Sequence, residues 1–288
     1  MNSLKQYKKI LITGADGQLG KAIQVESVLY PELDFIFATK DMLDISNPTS
    51  IHQAVQEYQP DFIINTAAYT AVDKAETDED ASYLLNEKAV HILATICKEH
   101  AIALIHISTD YVFDGVSKKA YTEETATNPK TIYGKSKLAG EKTIQAIDDL
   151  VYTIIRTSWL YSNYGHNFYK TMLRLGDTQK NIQVVNDQYG VPTLANDLAI
   201  AILEIIPKLT IRNSGIYHYS NEGSATWYAF AKAIFEYSKL DVQVSPVLSH
   251  AFPTVAIRPK NSILNSTKIV KTFGVSRPLW KDALQQII

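Results

Sequence analysis

The chain has 288 residues, 46% of them hydrophobic, so it is long enough to bury one large core or two smaller ones. A net charge of −2 excludes the basic surface that binding to nucleic acid requires. No apolar run reaches the roughly 18 residues of a membrane span, and the first residues lack the apolar core of a signal peptide, so we expect a cytoplasmic protein.

The first predicted unit is a strand, a glycine turn and a helix. An apolar run at residues 9–13 leads into glycines at 14, 17 and 20, and a helical pattern follows. This spacing differs from the Gly-x-Gly-x-x-Gly commoner in dehydrogenases, but it also lets a pyrophosphate approach the free N–H groups at a helix start. A plain turn is the alternative. We predict a dinucleotide site that includes Gly14, Gly17, Gln18, Leu19 and Gly20.

The end of the second predicted strand, residues 34–39, indicates which dinucleotide is bound. Thr39 and Lys40 stand where an acidic residue would hydrogen-bond the adenine ribose of NAD. A lysine accommodates a 2′-phosphate, so the sequence favours NADPH and leaves NADH open. Asp44 and Ile45 follow and are expected near the adenine.

Helical patterns separate the next strands. Asn47-Pro48 predicts the start of a helix, because asparagine caps free N–H groups and proline suits the first turn. Residues 61–70 predict a third strand, and its last residues, small enough for a cofactor to approach, are Ala67, Ala68, Tyr69 and Thr70. Residues 80–100 predict a helix in which Asn86 is an ordinary polar residue and Cys97 a buried one.

The reactive centre is predicted where a fourth strand ends at Thr109 and a helix carries Tyr133 and Lys137. Residues four apart share one face of a helix. A phenol that exchanges its proton near pH 7 needs a pKa about three units below 10, or roughly 4 kcal/mol. An ammonium about 4 Å away supplies this only where water is largely excluded. A surface tyrosine on an ordinary helix is the alternative.

Alternating strands and helices through residue 159 predict an α/β fold, a Rossmann-type doubly wound parallel sheet. We assign residues 1–159 to an NAD(P)-binding domain with a return segment near 193–215, and residues 160–288 to a smaller α/β substrate-binding lobe. The second half of the chain is predicted to contain helices at 168–175, 197–206 (within the return segment) and 226–237, short strands at 182–185 and 217–219, and a loop at 256–262.

Several motifs together resemble the extended short-chain dehydrogenase/reductase superfamily and, within it, the dTDP-4-dehydrorhamnose reductase family. They are the glycine turn, residues 67–76 (AAYTAVDKAE), 108–113 (STDYVF), 133–141 (YGKSKLAGE), 156–159 (RTSW) and 186–190 (NDQYG). The resemblance implies that NAD(P)H delivers a hydride to the C4 ketone of dTDP-4-dehydro-L-rhamnose. The product, dTDP-L-rhamnose, would serve surface polysaccharide.

The resemblance also assigns roles to single residues. It implies that Tyr133 donates a proton to the forming alkoxide, that Lys137 holds the nicotinamide ribose and favours the tyrosinate, and that Thr109 hydrogen-bonds the reacting oxygen. Matching positions place the following at the substrate: Asp110, Tyr111, Trp159 and Asn167 at the sugar, Arg258 at the diphosphate, and Gln188 in a loop that is otherwise a connector. A bulky core residue is the alternative for Trp159.

One departure from the family concerns metal binding. Some family members resemble magnesium-bridged dimers that use a glutamate where this chain has Ala22. We therefore predict no metal dependence and leave a monomer or a homodimer undecided. The remaining alternatives are another nucleotide-sugar reductase, an epimerase or a 4,6-dehydratase of the superfamily, and a cofactor-binding regulatory subunit without turnover. Tyr111 argues against a dehydratase, because those enzymes carry glutamate at that place.

Overall fold

The computed structural model describes residues 8–288, so the N-terminal residues in which a signal-peptide core was sought lie outside it. Within the described residues, no helix combines the length and the apolar character that crossing a membrane demands. The strands are β1 Lys8–Thr13, β2 Leu33–Ala38, β3 Phe62–Asn65, β4 Ala103–Thr109, β5 Tyr152–Thr157, β6 Leu160–Tyr161, β7 Asn181–Val185, β8 Tyr189–Gly190, β9 Thr193–Leu194, β10 Gly215–His218, β11 Ala225–Thr226 and β12 Gln243–Val247.

Helices account for most of the remaining regular structure. They are α1 Gln18–Glu26, α2 Pro48–Tyr58, α3 Val72–Ala75, α4 Glu79–Tyr83, α5 Ala89–Glu99, α6 Ile132–Gln145, α7 Phe168–Gly176, α8 Ala195–Ile205, α9 Trp227–Tyr237, α10 Thr267–Phe273 and α11 Trp280–Ile287. The predicted cap of α2 is confirmed, since the Asn47 side chain accepts a hydrogen bond from the Thr49 amide and Pro48 begins the helix.

Six parallel strands form the central sheet of residues 8–288, in the order β10-β5-β4-β3-β1-β2. Ile10 and Ile12 of β1 face a core that includes α1, α8 and α10, whereas Leu11 faces a second core with α2, α5 and α6. Helices therefore cover both faces, and the predicted doubly wound α/β fold is confirmed. The strand order reverses between β1 and β3, the position where such sheets bind ligands.

Two predicted elements differ in extent. The strand predicted at 61–70 ends at Asn65, because the chain turns away there and its next residues line a cleft. The long helix predicted at 80–100 is interrupted by a π-helical turn at Leu84–Lys88, which places Asn86 in the interior. Cys97 is buried, as predicted.

A third core unites the smaller part of the molecule, with Tyr161, Tyr169, Phe230 and Trp280 among its aromatic residues. The segment near 193–215 supplies α8, which packs against α1, and β10 follows it at the edge of the central sheet. Helix α10 also packs on this sheet core. The domain boundary at residue 159 stays a prediction.

A buried ion pair fastens α6 to the sheet. Arg156 of β5 donates from Nε and Nη2 to both carboxylate oxygens of Glu141, at 2.9 and 2.6 Å. Ser108 at the end of β4 donates to the same carboxylate at 2.5 Å. Both partners are almost fully buried. Breaking a buried pair by removing one partner usually costs about 3–5 kcal/mol, so this contact fixes the helix that carries Tyr133 and Lys137.

Candidate active site

A cleft of about 750 Å³ runs along the carboxyl ends of the central strands. Segments that follow β1, β2, β3, β4 and β5 all contribute to its wall, as expected for a parallel sheet. Its lining comprises Gly14, Gly17, Gln18, Leu19, Lys40, Leu43, Asp44, Ile45, Thr66, Ala67, Ala68, Thr70, Val72, Leu85, Ile107, Ser108, Thr109, Asp110, Tyr111, Tyr133, Lys137, Thr157, Ser158, Trp159, Leu160, Gly165 and His166.

The glycine turn is shaped by close backbone contacts. Gly14 has a φ of +66°, and a Cβ there would lie 2.9 Å from the backbone of Ala67. A Cβ at Gly20 would lie 2.6 Å from the Gly14 carbonyl oxygen, so Gly20 serves the packing of the turn and does not line the cleft. Helix α1 begins after Gly17, which supplies no side-chain cap, so its first N–H groups are available to an anion.

The residues predicted near the adenine divide into two groups. Lys40, Asp44 and Ile45 line the cleft, whereas Thr39 does not. The hydroxyl and amide of Ser46 donate to Asp44 Oδ1 at 2.7 and 2.9 Å and thereby lower the pKa of this carboxyl. The arrangement presents an ammonium and a carboxylate at the same end of the cleft.

The segment after β3 approaches the cleft through Ala67, Ala68 and Thr70, but the Tyr69 ring points elsewhere. The Tyr69 hydroxyl donates to Asp78 at 3.1 Å. Asn86 holds the Tyr69 backbone from both sides, accepting from its amide at 2.9 Å and donating to its carbonyl at 3.0 Å. Asn86 is therefore a buried residue that fixes the backbone of the cleft wall at Tyr69, and we call these two hydrogen bonds the Asn86 clamp. Its interpretation as an ordinary helix residue is wrong.

Tyr133 lies in the first turn of α6, which Thr131 caps by accepting from the Gly134 amide at 3.0 Å. Tyr133 is 9% exposed, and its ring lies at 73° to that of Tyr111 with the centroids 5.6 Å apart. Burial raises the pKa of Tyr133 above its ordinary value, with the Thr109 hydroxyl opposing the shift. The expectation that Lys137 lowers this pKa stays a prediction, because in this structure Nζ is bonded to the Ile107 carbonyl and lies beside His106.

Lys137 is almost fully buried and directs its Nζ toward the end of β4. Nζ donates to the Ile107 carbonyl at 2.6 Å and lies 3.3 Å from His106 Nε2. Burial lowers the pKa of Lys137 to about 8, and the Glu141 carboxylate partly opposes this shift. The lysine can therefore change its charge near physiological pH.

Thr109 and Asp110 end β4 inside the cleft. The Thr109 hydroxyl donates to Asp110 Oδ1 at 3.0 Å and accepts from the Tyr111 amide at 3.2 Å. Burial raises the pKa of Asp110 to about 6, although the neighbouring Ser262 and Thr109 hydroxyls oppose the shift. Burial also raises the pKa of Tyr111 to about 12. This wall offers polar groups that are already desolvated.

Trp159 forms an aromatic wall in an uncommon backbone conformation. Its φ is +47°, a left-handed value that bulky residues rarely adopt. Its indole stacks on that of Trp227, and a Cβ at Gly190 would lie 2.4 Å from the ring, so glycine is required beneath it. The ring lines the cleft, as expected of a residue at the substrate, and it also packs on the smaller lobe, as expected of a bulky core residue.

Asn167, Gln188 and Arg258 do not line the cleft formed by residues 8–288. Asn167 caps α7 and donates to Gln18 Oε1 at 2.8 Å, which joins the smaller lobe to the glycine turn. Gln188 is buried and donates to Ser249 Oγ at 3.0 Å. Arg258 pairs with Asp73, so the late loop is tied to α3. Their roles toward a substrate stay predictions.

Sequence reasoning missed several residues around the site. Leu43, Leu85, Gly165 and His166 line the cleft without belonging to a recognisable motif. His106 was overlooked because it sits in an apolar strand, although a lone polar residue in a buried strand is itself a signal. Within residues 8–288, no group of three or more His, Cys, Asp and Glu side chains is placed to hold a metal ion.

Comparisons with known proteins cover nearly the whole chain. The family model described as the RmlD substrate binding domain matches residues 8–288. The chain is 36% identical to the dTDP-4-dehydrorhamnose reductase of Sinorhizobium fredii, over 97% of this chain and 96% of that protein. It is 39% identical to the spore coat polysaccharide biosynthesis protein SpsK of Bacillus subtilis, over 97% and 96%.

A solved structure is similar over the same extent. It is the dTDP-4-dehydrorhamnose reductase from Bacillus anthracis in complex with NADP, with a TM-score of 0.92 and 41% identity, and the match covers 98% of this chain and 99% of that chain. The likeness therefore includes the smaller lobe as well as the central sheet.

Proposed function

The chain belongs to the RmlD substrate binding domain family, and on that premise we propose that it is a dTDP-4-dehydrorhamnose reductase. It uses NADPH to reduce the C4 ketone of dTDP-4-dehydro-L-rhamnose, giving dTDP-L-rhamnose for surface polysaccharide. The observation that carries the proposal is that one cleft holds the glycine turn together with Thr109, Tyr133 and Lys137.

The residues fit a dinucleotide. Gly14 lies so close to Ala67 that a side chain would fill the turn, and the uncapped start of α1 faces an anion such as pyrophosphate. Lys40 lies in the lining, where it suits a 2′-phosphate, so NADPH is favoured over NADH. When bound, the nicotinamide supplies the hydride for the reduction.

The chain's own residues supply the proton and its stabilisation. Tyr133 keeps its proton until an alkoxide forms beside it, because burial raises its pKa. The Thr109 hydroxyl, next to the phenol, turns its one proton from Asp110 to the same oxygen as negative charge develops. Lys137 holds the nicotinamide ribose, and its ammonium offsets the charge of the tyrosinate that remains.

The substrate end of the cleft suits a sugar attached to a nucleotide. Trp159 offers a flat apolar face, and Asp110 and Tyr111 offer buried polar groups for sugar hydroxyls. Arg258 lies on the late loop near Tyr111, where a guanidinium suits a diphosphate. Asn167 and Gln188 act behind this surface by holding Gln18 and Ser249 in place.

The test is loss of NADPH absorbance after dTDP-4-dehydro-L-rhamnose is added, with the product identified by mass and NMR. We expect stoichiometric oxidation and a C4 alcohol. Interconversion of nucleotide sugars without net NADPH oxidation would favour an epimerase. Tight NADPH binding without turnover on any nucleotide sugar would favour a regulatory subunit. Comparing dTDP, UDP and GDP sugars then defines the substrate.

Location and assembly are also part of the proposal. We place the enzyme in the cytoplasm because its reductant and nucleotide sugar are cytoplasmic metabolites, and fractionation of cells tests this. Alanine at position 22 removes the carboxylate that a magnesium-bridged dimer would use. Sedimentation with and without EDTA distinguishes a monomer from a homodimer and tests the expected metal independence.

A further inference from the structure

A row of buried polar side chains crosses three neighbouring strands beneath the cleft. Thr13, Asn65 and His106 occupy paired positions on β1, β3 and β4. The row starts one residue before the glycine turn and ends at Lys137, and its members are at most 2% exposed. A polar row that is this deeply buried is costly unless each member is hydrogen-bonded.

The contacts along the row are continuous. The Thr13 hydroxyl is 2.7 Å from Asn65 Oδ1, the Asn65 amide nitrogen is 3.1 Å from His106 Nδ1, and His106 Nε2 is 3.3 Å from Lys137 Nζ. Lys137 also donates to the Ile107 carbonyl at 2.6 Å. A neutral imidazole has one donor and one acceptor nitrogen, so the proton on His106 decides which way every bond in the row points.

Two proton arrangements keep the row continuous; the first turns the Asn65 amide over, and the second keeps the amide orientation of the structure. With Lys137 as an ammonium, Nζ donates to Nε2, the Nδ1 proton of His106 is donated to the Asn65 amide oxygen, and the amide nitrogen turns toward Thr13. With Lys137 as an amine, the Thr13 hydroxyl donates to the amide oxygen, the amide nitrogen donates to Nδ1, and Nε2–H donates to Nζ. Each arrangement leaves the Lys137 contact intact.

We propose that His106 is a positioning residue that holds Lys137 Nζ in place in both of its charge states, by exchanging tautomers. The proposal rests on the proposed function only for its kinetic consequence. His106 does not touch the cleft and acts through the lysine. Lys137 can then gain or lose a proton during turnover while its Nζ keeps one position in the cleft wall.

Other charged groups near the row are accounted for. Glu141 lies one turn beyond Lys137 on α6, but Arg156 and Ser108 already bind its carboxylate. Asp110 on the segment after β4 is bonded to Thr109, and the Tyr133 phenol remains protonated. Burial and the nearby ammonium lower the pKa of His106 well below its ordinary value, which keeps the imidazole neutral. The lysine is then the group in the row that titrates near pH 8.

The first experiment is imidazole ¹⁵N NMR on the intact protein from pH 6 to pH 10, which requires no turnover. We expect His106 to carry its proton on Nδ1 below about pH 8 and on Nε2 above it. In Lys137→Met the tautomer should not change with pH. One fixed tautomer in the wild-type protein, or a switch that persists in Lys137→Met, would overturn the proposal even if the reductase activity is proven.

The second experiment compares His106→Leu, which loses both ring nitrogens, with His106→Gln, which keeps a donor and an acceptor. We expect His106→Leu to lower kcat about tenfold at pH 7 and to move the alkaline limb of its pH profile about one unit down, because the ammonium loses an acceptor. His106→Gln should restore the position of that limb.

The matched control is His218→Leu, a buried histidine on β10 that bonds Arg156 and the Tyr121 carbonyl instead of Lys137. Its pH profile should keep the wild-type position even if its stability falls. Equal shifts in the two leucine variants, or no shift in His106→Leu despite normal folding by circular dichroism, would contradict the proposal.

Discussion

The indole of Trp159 lies face to face on the indole of Trp227, with ring centroids 3.5 Å apart and planes 8° from parallel. Trp159 reaches this position through a left-handed backbone conformation, which costs about 1–3 kcal/mol unless its surroundings impose it. The stack with Trp227 on α9 supplies part of that constraint. The flat wall of the cleft therefore depends on a residue outside the cleft.

Trp227→Ala should weaken binding of the sugar nucleotide. An aromatic pair contributes about 0.5–1.5 kcal/mol, so we expect KM for the keto sugar to rise about twofold to tenfold, with KM for NADPH unchanged. Steady-state kinetics with each substrate varied measures both. Trp280→Phe, in the same core, controls for general loosening of the lobe. An equal change in both KM values would contradict the specific role of the stack.

Tyr133→Phe should lower kcat by two or more orders of magnitude, because positioned acid catalysis supplies about 10²–10⁴ in rate. The ring still fills its buried place, so NADPH affinity should change little. Stopped-flow reduction and fluorescence titration measure the two quantities. Tyr169→Phe, a buried tyrosine of the smaller lobe, is the control. Near-normal turnover in Tyr133→Phe would show that another group donates the proton.

Lys137→Met should stabilise the fold while weakening NADPH binding. Burial lowers the pKa of Lys137 from 10.5 to about 8, which corresponds to a cost of about 3 kcal/mol for the buried ammonium at pH 7. Between pH 8 and 10.5 the unfolded chain binds more protons than the folded one, so wild-type stability rises with pH across this window. The gain in unfolding free energy of Lys137→Met over the wild-type protein should therefore decrease as the pH rises from 8 to 10.5.

Urea unfolding at several pH values measures this difference for Lys137→Met. Lys135→Met, on the exposed side of the same helix, is the matched control and should show no comparable dependence on pH. A stability gain that stays constant from pH 7 to 10.5 would mean that packing, and not the buried charge, is responsible.

Lys40→Ala should reduce the preference for NADPH over NADH. Lys40 is exposed, and an exposed ion pair contributes about 0–1 kcal/mol, so we expect the ratio of kcat/KM values to fall no more than about fivefold. Raising the salt concentration should reduce the wild-type ratio in the same direction. Lys118→Ala, an exposed lysine outside the cleft lining, is the control. If neither Lys40→Ala nor added salt changes the ratio of kcat/KM for NADPH to that for NADH, the 2′-phosphate is recognised by other residues.

Asn86→Ala should destabilise the protein by about 2–4 kcal/mol, because it removes three hydrogen bonds of a buried side chain, two to the Tyr69 backbone and one to Ser136 Oγ. Urea unfolding measures the loss. The matched control is Asn181→Ala, which removes an exposed asparagine at the start of β7. A change below about 0.5 kcal/mol in Asn86→Ala, the range of ordinary surface substitutions, would show that the clamp is dispensable.

Local patterns predicted the parts of the fold that depend on neighbouring residues. The apolar runs located β1, β3 and β4, and Asn47-Pro48 located the start of α2. Contacts between distant segments could not be predicted in this way. Arg258 meets Asp73 across 185 positions, and Asn86 in the π-helical turn bonds the Tyr69 backbone on the segment after β3.

In the candidate site, too, the local motifs could be predicted from the sequence and the contacts between distant segments could not. The glycine turn and the Tyr133–Lys137 spacing are local motifs, and both lie at one cleft. The direction of the Lys137 ammonium depends on His106, which lies on a strand and not on its helix. Spacing along α6 predicted that the Tyr133 phenol and the Lys137 ammonium share a face, but it carried no information about the interior partners of the ammonium, His106 and the Ile107 carbonyl.

The Glu141–Arg156 pair also limits how this protein can evolve. Changing either residue alone would leave an unpaired charge buried in the protein. Exchanging both for well-packed apolar residues is often neutral for stability. A lineage must therefore pass through a poorly folding intermediate to lose the pair. Drift at these two sites should be slow, and their replacements should occur together.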